Sequence, residues 1–224
     1  MSENFQLIWQ SSASEDTKIV FGNPEVEPPG SIYSVYLPEI QRSAWQYLKP
    51  SHSSSYRCES RNIRVGGYQY TWAENSTYKI AWSSMFPDIS SESDTFGNYV
   101  FFQWKSYPNA QQNYPFLMTI NGKIVRLIYV DTAQQWHTIW SQQVGSFEWM
   151  HFDVTLHLSR DENQGWLEMS FNNTPQSFSN GMNRWVGRTL DDEKNELKWG
   201  CYDRGNPSRS LIHYLADAQV FKAG

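Results

Sequence analysis

The stretch that decides the fold is Trp149–Leu158, with the sequence Trp-Met-His-Phe-Asp-Val-Thr-Leu-His-Leu. Its even-numbered positions, from Met150 to Leu158, are all apolar, whereas the odd-numbered positions from His151 to His157 are all polar. Successive side chains of a β-strand point to opposite faces of the sheet. The alternation therefore predicts a strand with one face in the core and the other outside it.

Similar short runs recur along the chain between turn residues, and long helical patterns are rare, which is typical of a β-sandwich or barrel. Asn121-Gly122 predicts a tight hairpin over residues 116–130, and Pro38-Glu-Ile-Gln-Arg42 predicts a short helical turn that begins at proline. The predicted strands are Phe5–Gln10, Ile32–Leu37, Arg57–Val65, Tyr78–Trp82, Tyr99–Lys105, Phe116–Ile120, Ile124–Val130, His137–Ser141, Trp149–Ser159, Gly165–Phe171, Glu196–Arg204 and Tyr214–Lys222.

The composition describes a globular chain rich in aromatic rings and poor in charge. Of 224 residues, 39% are hydrophobic, 16% aromatic and 18% charged, and the chain has 11 Trp and 13 Tyr. Its length and the lack of a linker predict one domain over residues 1–224. Aromatic residues with many uncharged polar groups suit a sugar-binding surface, although sheet packing also uses Trp and Tyr heavily.

Charge and hydropathy exclude several partner classes. A net charge of −5 and a pI near 5.5 argue against a nucleic-acid partner, and no apolar stretch approaches the roughly 20 residues of a membrane helix. Residues 1–5 lack a signal-peptide pattern, yet Asn75 and Asn172 begin glycosylation acceptor motifs. We expect a secreted monomer, although an intracellular location stays open. Cys58 and Cys201 could form either a buried pair of thiols or a disulfide.

Three further segments place polar groups on one strand face by the same alternation. A plain solvent-facing surface is usually built from Thr, Ser, Lys and Glu, whereas Arg, Gln and Tyr bind carboxylates and hydroxyls with direction. These side chains are Arg57, Glu59 and Arg61 on the first segment, Gln103 and Lys105, beside Phe101, on the second, and Lys198, Tyr202 and Arg204 on the third. We interpret Glu59 as a structural support that holds the two flanking guanidinium groups.

These three segments resemble the motifs of jelly-roll polysaccharide lyases, especially the glucuronan lyase and heparin lyase I group and more distantly the jelly-roll alginate lyases. Tyr56-Arg-Cys-Glu-Ser-Arg61 resembles their Arg-Ser/Thr-Glu-Leu-Arg strand, Phe102-Gln-Trp-Lys105 their Gln-Ile-His strand, and Leu197-Lys-Trp-Gly-Cys-Tyr202 their Lys-x-Gly-x-Tyr strand. Lys105 stands where the alginate lyases have His, which disfavours alginate. The resemblance implies an all-β jelly-roll sandwich of two antiparallel sheets with a concave substrate-binding cleft.

The resemblance also implies a reaction that needs no cofactor. Such lyases cleave a 4-linked uronic acid polymer by β-elimination, in which the C5 proton is removed and the C4 oxygen leaves. It implies that Tyr202 is the acid/base and that Gln103, Arg57 and His52 neutralise the carboxylate as charge develops on it. The expected substrate-binding residues are Lys198, Lys105, Arg61, Arg204 and His151. Lys198 and Arg204 would also lower the Tyr202 pKa from its ordinary value near 10.

Two further possibilities stay open at this level. The same polar face fits a non-catalytic carbohydrate-binding protein or lectin, and Lys105 in the histidine position favours that alternative. No zinc, haem or redox-cofactor spacing occurs, but the acidic loop Asp191-Asp-Glu193 has the ligand type of a structural Ca²⁺. The preferred interpretation is a polysaccharide lyase acting on an acidic polysaccharide, with glucuronan ahead of alginate or heparin.

Overall fold

The structure is a computed structural model that describes residues 4–51, 56–89, 99–108, 111–191, 193–203, 205 and 209–224. The chain forms short strands throughout, with one four-residue helix, α1, at Thr17–Val20. The strands are β1 Phe5–Gln10, β2 Glu25–Val26, β3 Ser31–Leu37, β4 Arg42–Lys49, β5 Arg57–Arg61, β6 Arg64–Val65, β7 Tyr68–Gln69, β8 Thr77–Met85, β9 Tyr99–Tyr107, β10 Phe116–Asn121, β11 Ile124–Val130, β12 Trp136–Gln143, β13 Met150–His157, β14 Trp166–Phe171, β15 Thr174–Pro175, β16 Trp185–Val186, β17 Lys194–Tyr202 and β18 Leu211–Ala223.

Two large antiparallel sheets form the sandwich. The nine-stranded sheet has the order β15-β14-β13-β8-β18-β4-β3, with β1 paired to β18 and β16 paired to β14, while the seven-stranded sheet has the order β12-β11-β10-β9-β17-β5-β2. Strands β6 and β7 form a separate two-stranded ribbon. Each sheet contains neighbours that are distant in sequence, as β17 is between β9 and β5, so the fold depends on long-range pairing.

The core is between the two sheets and is rich in aromatic rings. Trp82 of β8 stacks on Phe102 of β9 with ring centroids 4.5 Å apart, and Phe152 of β13 stacks on the same Trp82 at 5.2 Å. Trp199 of β17 meets Trp82 edge-on at 6.1 Å. Rings of this size bury large apolar areas, and paired rings add directional attraction. The many Trp residues are therefore largely explained by sheet packing.

The alternation in the deciding stretch is confirmed in strand β13. Its even-numbered residues are buried and its odd-numbered residues are partly exposed. The hairpin of β10 and β11 is also confirmed, with Asn121 paired to Ile124 and Gly122 at φ 56 in the loop. The helical turn at Pro38 is wrong, because residues 38–41 form the tight turn that joins β3 to β4.

A β-bulge corrects the predicted faces of β9. Met118 pairs with Phe102 and the next residue, Thr119, pairs with Val100, so Phe101 is an extra residue with no partner on β10. Phe101 and Phe102 consequently both enter the core, and Val100 moves to the face that carries Gln103. A bulge inserts one residue and shifts the alternation by one position, and simple alternation therefore misplaces the residues before it.

Cys58 and Cys201 are direct partners in the pairing of β5 with β17, and both are buried free thiols on the core side. Their shared location confirms the expectation that the two thiols lie close to each other. Within the described ranges, no helix is both long and apolar enough to cross a membrane.

Candidate active site

The predicted polar residues meet on the outer side of the seven-stranded sheet, opposite the core, which we call the site face. Direct partners in an antiparallel pair share a face. Tyr202 of β17 pairs with Arg57 of β5, and Lys198 pairs with Arg61 on one side and with Gln103 of β9 on the other. Three motifs that are far apart in sequence therefore meet on adjacent strands.

Glu59 lies at the centre of the site face and is almost completely buried. One carboxylate oxygen accepts a hydrogen bond from the Gln103 Nε2 at 2.5 Å, and the other accepts from the Lys198 Nζ at 2.9 Å. Lys198 and Glu59 are each 2% exposed at the side chain. A buried ion pair needs such supplementary bonds to offset its desolvation, and Gln103 supplies one. The expectation that Glu59 holds the two flanking guanidinium groups is wrong, because its partners are Lys198 and Gln103.

Glu25, on the edge strand β2, is a second carboxylate that joins the cations. It bonds the Arg57 guanidinium at 2.6 Å, the Lys198 ammonium at 2.8 Å and the Arg61 guanidinium at 3.1 Å. Burial alone would raise the pKa of Glu25, but the charge and hydrogen bonds of Lys198 and Arg57 outweigh it and lower the pKa to about 2. Glu25 is thus ionised under all ordinary conditions and fixes three cations in place.

Arg61 pairs with Glu196 as well as with Glu25. Glu196 precedes Lys198 by two residues on the same face of β17. The Arg61 Nε donates to the Glu196 carboxylate, and the guanidinium lies over the Tyr107 ring at 3.9 Å. The positive charges predicted to grip a polyanion are therefore neutralised by carboxylates of the protein. The site face presents an ordered hydrogen-bonding array rather than a strongly positive surface.

Gly200 allows β5 and β17 to approach closely at the centre of the site face. A Cβ at this position would be 2.2 Å from the Cys58 carbonyl oxygen and 2.7 Å from the Glu59 Cα, and the residue has φ +148. Only glycine tolerates both the contact and the backbone conformation. Glycine in the Lys-x-Gly-x-Tyr motif consequently leaves space above β17 in which Gln103 reaches Glu59.

Tyr202 lies beside Arg57 and Tyr56 at one end of this array. The Arg57 guanidinium carbon is 5.3 Å from the centroid of the Tyr202 ring and 4.9 Å from that of Tyr56. The two phenol rings meet edge-on with centroids 5.8 Å apart. Arg57 is thus the cation adjacent to Tyr202, whereas Lys198 is bound between Glu25 and Glu59.

Lys105 occupies the histidine position of the second motif. Its Nζ donates to the Asn113 side-chain oxygen at 2.6 Å and to the Ser106 carbonyl at 3.0 Å. Burial, followed by the charge of Lys198, lowers the pKa of Lys105 to about 8. A substantial fraction of Lys105 is consequently neutral in mildly alkaline solution, unlike an ordinary surface lysine.

The other half of the site face is apolar and aromatic. Val100 and Leu117 pack there in a cluster separate from the core, with Tyr202 at one side and Tyr114 at the other. Trp136, which is 46% exposed, meets the Tyr114 ring edge-on at 5.4 Å. The predicted aromatic rim is therefore present at the end of the site face away from Tyr202.

Several predicted residues are not part of this arrangement. His151 is on β13 of the nine-stranded sheet, where it contacts Ser83 and Asp153. The expectation that it belongs to the substrate-binding face is therefore wrong. Alternation predicts that His151 is exposed but does not show to which sheet it belongs. His52 and Arg204 lie outside the described residues.

The proposed calcium loop is likewise not assembled as a metal site among the described residues. The Asp191 carboxylate is buried and pairs with Arg188 at 2.6 Å, while residue 192 lies outside the described ranges. No cluster of three or more His, Cys, Asp or Glu side chains suited to a metal occurs in the ranges that the structure describes. Asp191 serves here as the partner of a buried arginine.

Two site carboxylates escaped the sequence analysis. Glu196 could have been found, because it lies on the same predicted strand as Lys198 and shares its alternation. Glu25 could not, because β2 is only two residues long and has no periodicity. The site brings Glu25 within bonding distance of residues 32 to 173 positions away, a placement that depends on the tertiary fold.

Comparison with known families decides the class of protein to which this arrangement belongs. A family model described as polysaccharide lyase matches residues 32–215, which include all three motifs. The chain belongs to the polysaccharide lyase family. The jelly-roll lyase resemblance is confirmed at the level of the family. A comparison with curated proteins found no match.

Solved structures with similar folds include a lyase and several toxin domains. A variant of the family 7 alginate lyase A1-II′, crystallised with the substrate GGMG, has a TM-score of 0.56 at 14% identity, with 86% of this chain and 82% of that chain covered. The botulinum neurotoxin type G receptor-binding domain has a TM-score of 0.51 at 9% identity, with 89% and 42% covered. This chain thus spans less than half of the length of that toxin domain. Both likenesses show the fold alone.

Proposed function

We propose that this polysaccharide lyase cleaves a 4-linked uronic acid polymer by β-elimination, with glucuronan as the preferred substrate. The observation that carries the proposal is the meeting of Tyr202, Arg57, Gln103 and Lys198 on one sheet face beside an apolar, aromatic surface. In the reaction, the C5–H bond breaks, a C4–C5 double bond forms, and the bond from C4 to the glycosidic oxygen breaks. The leaving oxygen takes up a proton.

Tyr202 is the acid/base in this proposal. Its phenolate removes the C5 proton, and the phenol so formed gives that proton to the leaving oxygen, which requires both groups on the same side of the sugar ring. The adjacent Arg57 guanidinium favours a phenolate over a phenol. Arg57 is itself oriented by Glu25, so its charge stays directed at Tyr202.

Gln103 acts on the carboxylate in this proposal, together with Arg57 and His52. An amide nitrogen carries two N–H groups, and the Gln103 bond to Glu59 uses one of them. The second is available for the substrate carboxylate, whose charge increases as the C5 proton leaves. A donor positioned in advance stabilises that charge without reorganisation at the moment of reaction. Lys198, Lys105, Arg61 and Arg204 bind neighbouring sugars.

Lys105 supports glucuronan over alginate. A neutralising histidine two residues after Gln103 is replaced by a lysine that is bound to Asn113. The Lys105 ammonium would not reproduce the contact of that histidine with the carboxylate, which disfavours alginate as the substrate.

The substrate is tested by incubating the purified protein with glucuronan, alginate and heparin. The expected result is an increase in ultraviolet absorbance from the unsaturated uronate, fastest with glucuronan. Absence of product from all three polymers, together with measurable polymer binding, would support the non-catalytic alternative and refute the proposal.

The mechanism is tested with Tyr202→Phe, which removes the hydroxyl and keeps the ring against Arg57. We expect kcat to fall by about a hundredfold or more, as for loss of a general acid–base group, with little change in polymer affinity. Tyr36→Phe is the matched control, because Tyr36 is an exposed tyrosine on β3 of the other sheet. A Tyr202→Phe enzyme with near-normal kcat would remove Tyr202 from the mechanism.

A further inference from the structure

Arg126 of β11 is a charged residue on the site face that no motif includes. Thr119 pairs with Val100 on one side and with Arg126 on the other, and Val100 pairs with Tyr202. Because direct partners share a face, Tyr202 and Arg126 belong to one row of side chains that crosses the sheet. Three strand spacings separate their backbones, about 14 Å.

Arg126 differs from the other site-face arginines in having no carboxylate. Arg57 and Arg61 are each paired with Glu25, whereas, among the described residues, Arg126 has no ion pair and its Nη1 is buried without a hydrogen-bond partner. The facing hydroxyl of Thr119, a fully buried residue, also has no partner. Buried polar groups in native proteins are almost always satisfied, so two adjacent exceptions on one surface require an explanation.

The floor between Tyr202 and Arg126 is apolar, since Val100 and Leu117 lie along it. Apolar faces of sugar rings pack on such a surface, while their carboxylates bind cations. Arg126 supplies a planar guanidinium, which binds a carboxylate through two parallel hydrogen bonds. Arg126 as a whole is half-buried, so part of this residue is accessible to a ligand.

We infer that Arg126 binds the carboxylate of a uronate several sugars away from the cleaved bond. The inference rests on the proposed function and adds a distal binding site to it. It implies that the enzyme recognises an extended polyuronate, with one carboxylate at Gln103 and Arg57 and another at Arg126. Short oligomers held at Tyr202 would not reach this second contact.

The test compares Arg126→Gln with the unmodified enzyme on polyuronate and on size-fractionated oligomers. Loss of a charge-assisted bond lowers affinity by about tenfold or more. We expect the ratio of kcat/KM for the polymer to kcat/KM for the shortest cleaved oligomer to fall by about tenfold. Arg126→Lys, which keeps the charge, should recover part of that ratio. Arg184→Gln is the control, because Arg184 stacks on Trp166 of the other sheet.

Binding to polyuronate in the Tyr202→Phe background separates this inference from the proposed function. If the unmodified chain cuts no polyuronate, the reaction is refuted, yet a tenfold weaker binding by Arg126→Gln would still support the distal site. Equal loss on short and long substrates, or unchanged polymer affinity, would overturn it. If Arg126→Gln does not fold, the same comparison is made with Arg126→Lys, and an unchanged ratio for this variant would overturn the inference.

Discussion

At the scale of single residues, the site depends as much on a missing side chain as on those present. The carbonyl oxygen of Gly200 accepts a hydrogen bond from the buried His213 Nδ1 at 3.2 Å, so its backbone is fixed from the core side as well. Above it, Gln103 reaches Glu59. A glycine at this position therefore determines the separation of two strands and the geometry of the carboxylate network at once.

We predict that Gly200→Ala is strongly destabilising. Its Cβ would overlap the Cys58 carbonyl and would occupy a backbone conformation that costs about 1 to 3 kcal/mol for other residues. The free energy of unfolding in urea should fall by about 3 kcal/mol or more. Gly66→Ala is the control: it also has positive φ, but nothing lies within 4 Å of its Cβ, so a loss of about 1 kcal/mol is expected. Equal losses in both variants would contradict the steric argument.

At the scale of elements, alternation predicts strands well wherever each strand is long and regular. β13 and β17 follow it because every second residue enters the core, and this alone placed Lys198 and Tyr202 on one face. The bulge at Phe101 has no marker in the sequence and reverses the faces of the residues before it. Pairing between strands distant in sequence is also invisible to a local pattern, and alternation could therefore not show that His151 lies on the other sheet.

The pairing of β5 with β17 predicts that both cysteines are inert in the folded protein. Burial raises the pKa of Cys58 to about 12, and burial also raises the pKa of Cys201 well above its usual range. Thiolates, not thiols, attack disulfide reagents. We expect no reaction with an aromatic disulfide in native buffer and two reactive thiols in urea. A Gln142→Cys variant, changed at an exposed position of β12, should react at once; similar rates for Cys58 or Cys201 would disprove this packing.

At the scale of the whole molecule, the sandwich itself does not determine the activity. Toxin receptor-binding domains share this fold at low identity, whereas the lyase motifs bring polar groups of β5, β17 and β9 together on the outer side of one sheet. Function therefore lies in the residues on that face rather than in the architecture. The core behind it still matters, since His213 packs between Tyr47 and Phe86 and bonds Gly200 and Ser84.

Acid unfolding should reveal the contributions of His213 in the core and of Glu25 on the site face in separate pH windows. Burial lowers the pKa of His213 from 6.5 to about 3, and the Lys198 and Arg57 partners lower that of Glu25, against the effect of burial, from 4.5 to about 2. In each case the unfolded chain takes up a proton at a higher pH than the folded protein, so stability is full above the unfolded pKa and is lost as pH falls. The window for His213 is pH 6.5 to about 3, and that for Glu25 is pH 4.5 to about 2.

The size of the effect follows from about 1.4 kcal/mol per pKa unit, which gives each group on the order of 3 to 5 kcal/mol. We expect His213→Gln to flatten the dependence of unfolding free energy on pH between 6.5 and 4.5, and Glu25→Gln to flatten it only below 4.5. The slope is the quantity to compare, because each variant also changes stability at neutral pH. Urea unfolding at half-unit pH intervals measures this slope. A His213→Gln slope equal to that of the unmodified protein above pH 4.5 would show that the imidazole is not buried in its neutral form.

The hydrogen bonds of His213 explain why its ring is neutral in the folded protein. The neutral ring would donate from Nδ1 to the Gly200 carbonyl and accept at Nε2 from Ser84. Protonation would place a second donor against a hydroxyl that already accepts from Trp82. We therefore expect His213 to be protonated only when the two sheets separate. The fixed position of the Gly200 backbone at the active site is lost in the same step.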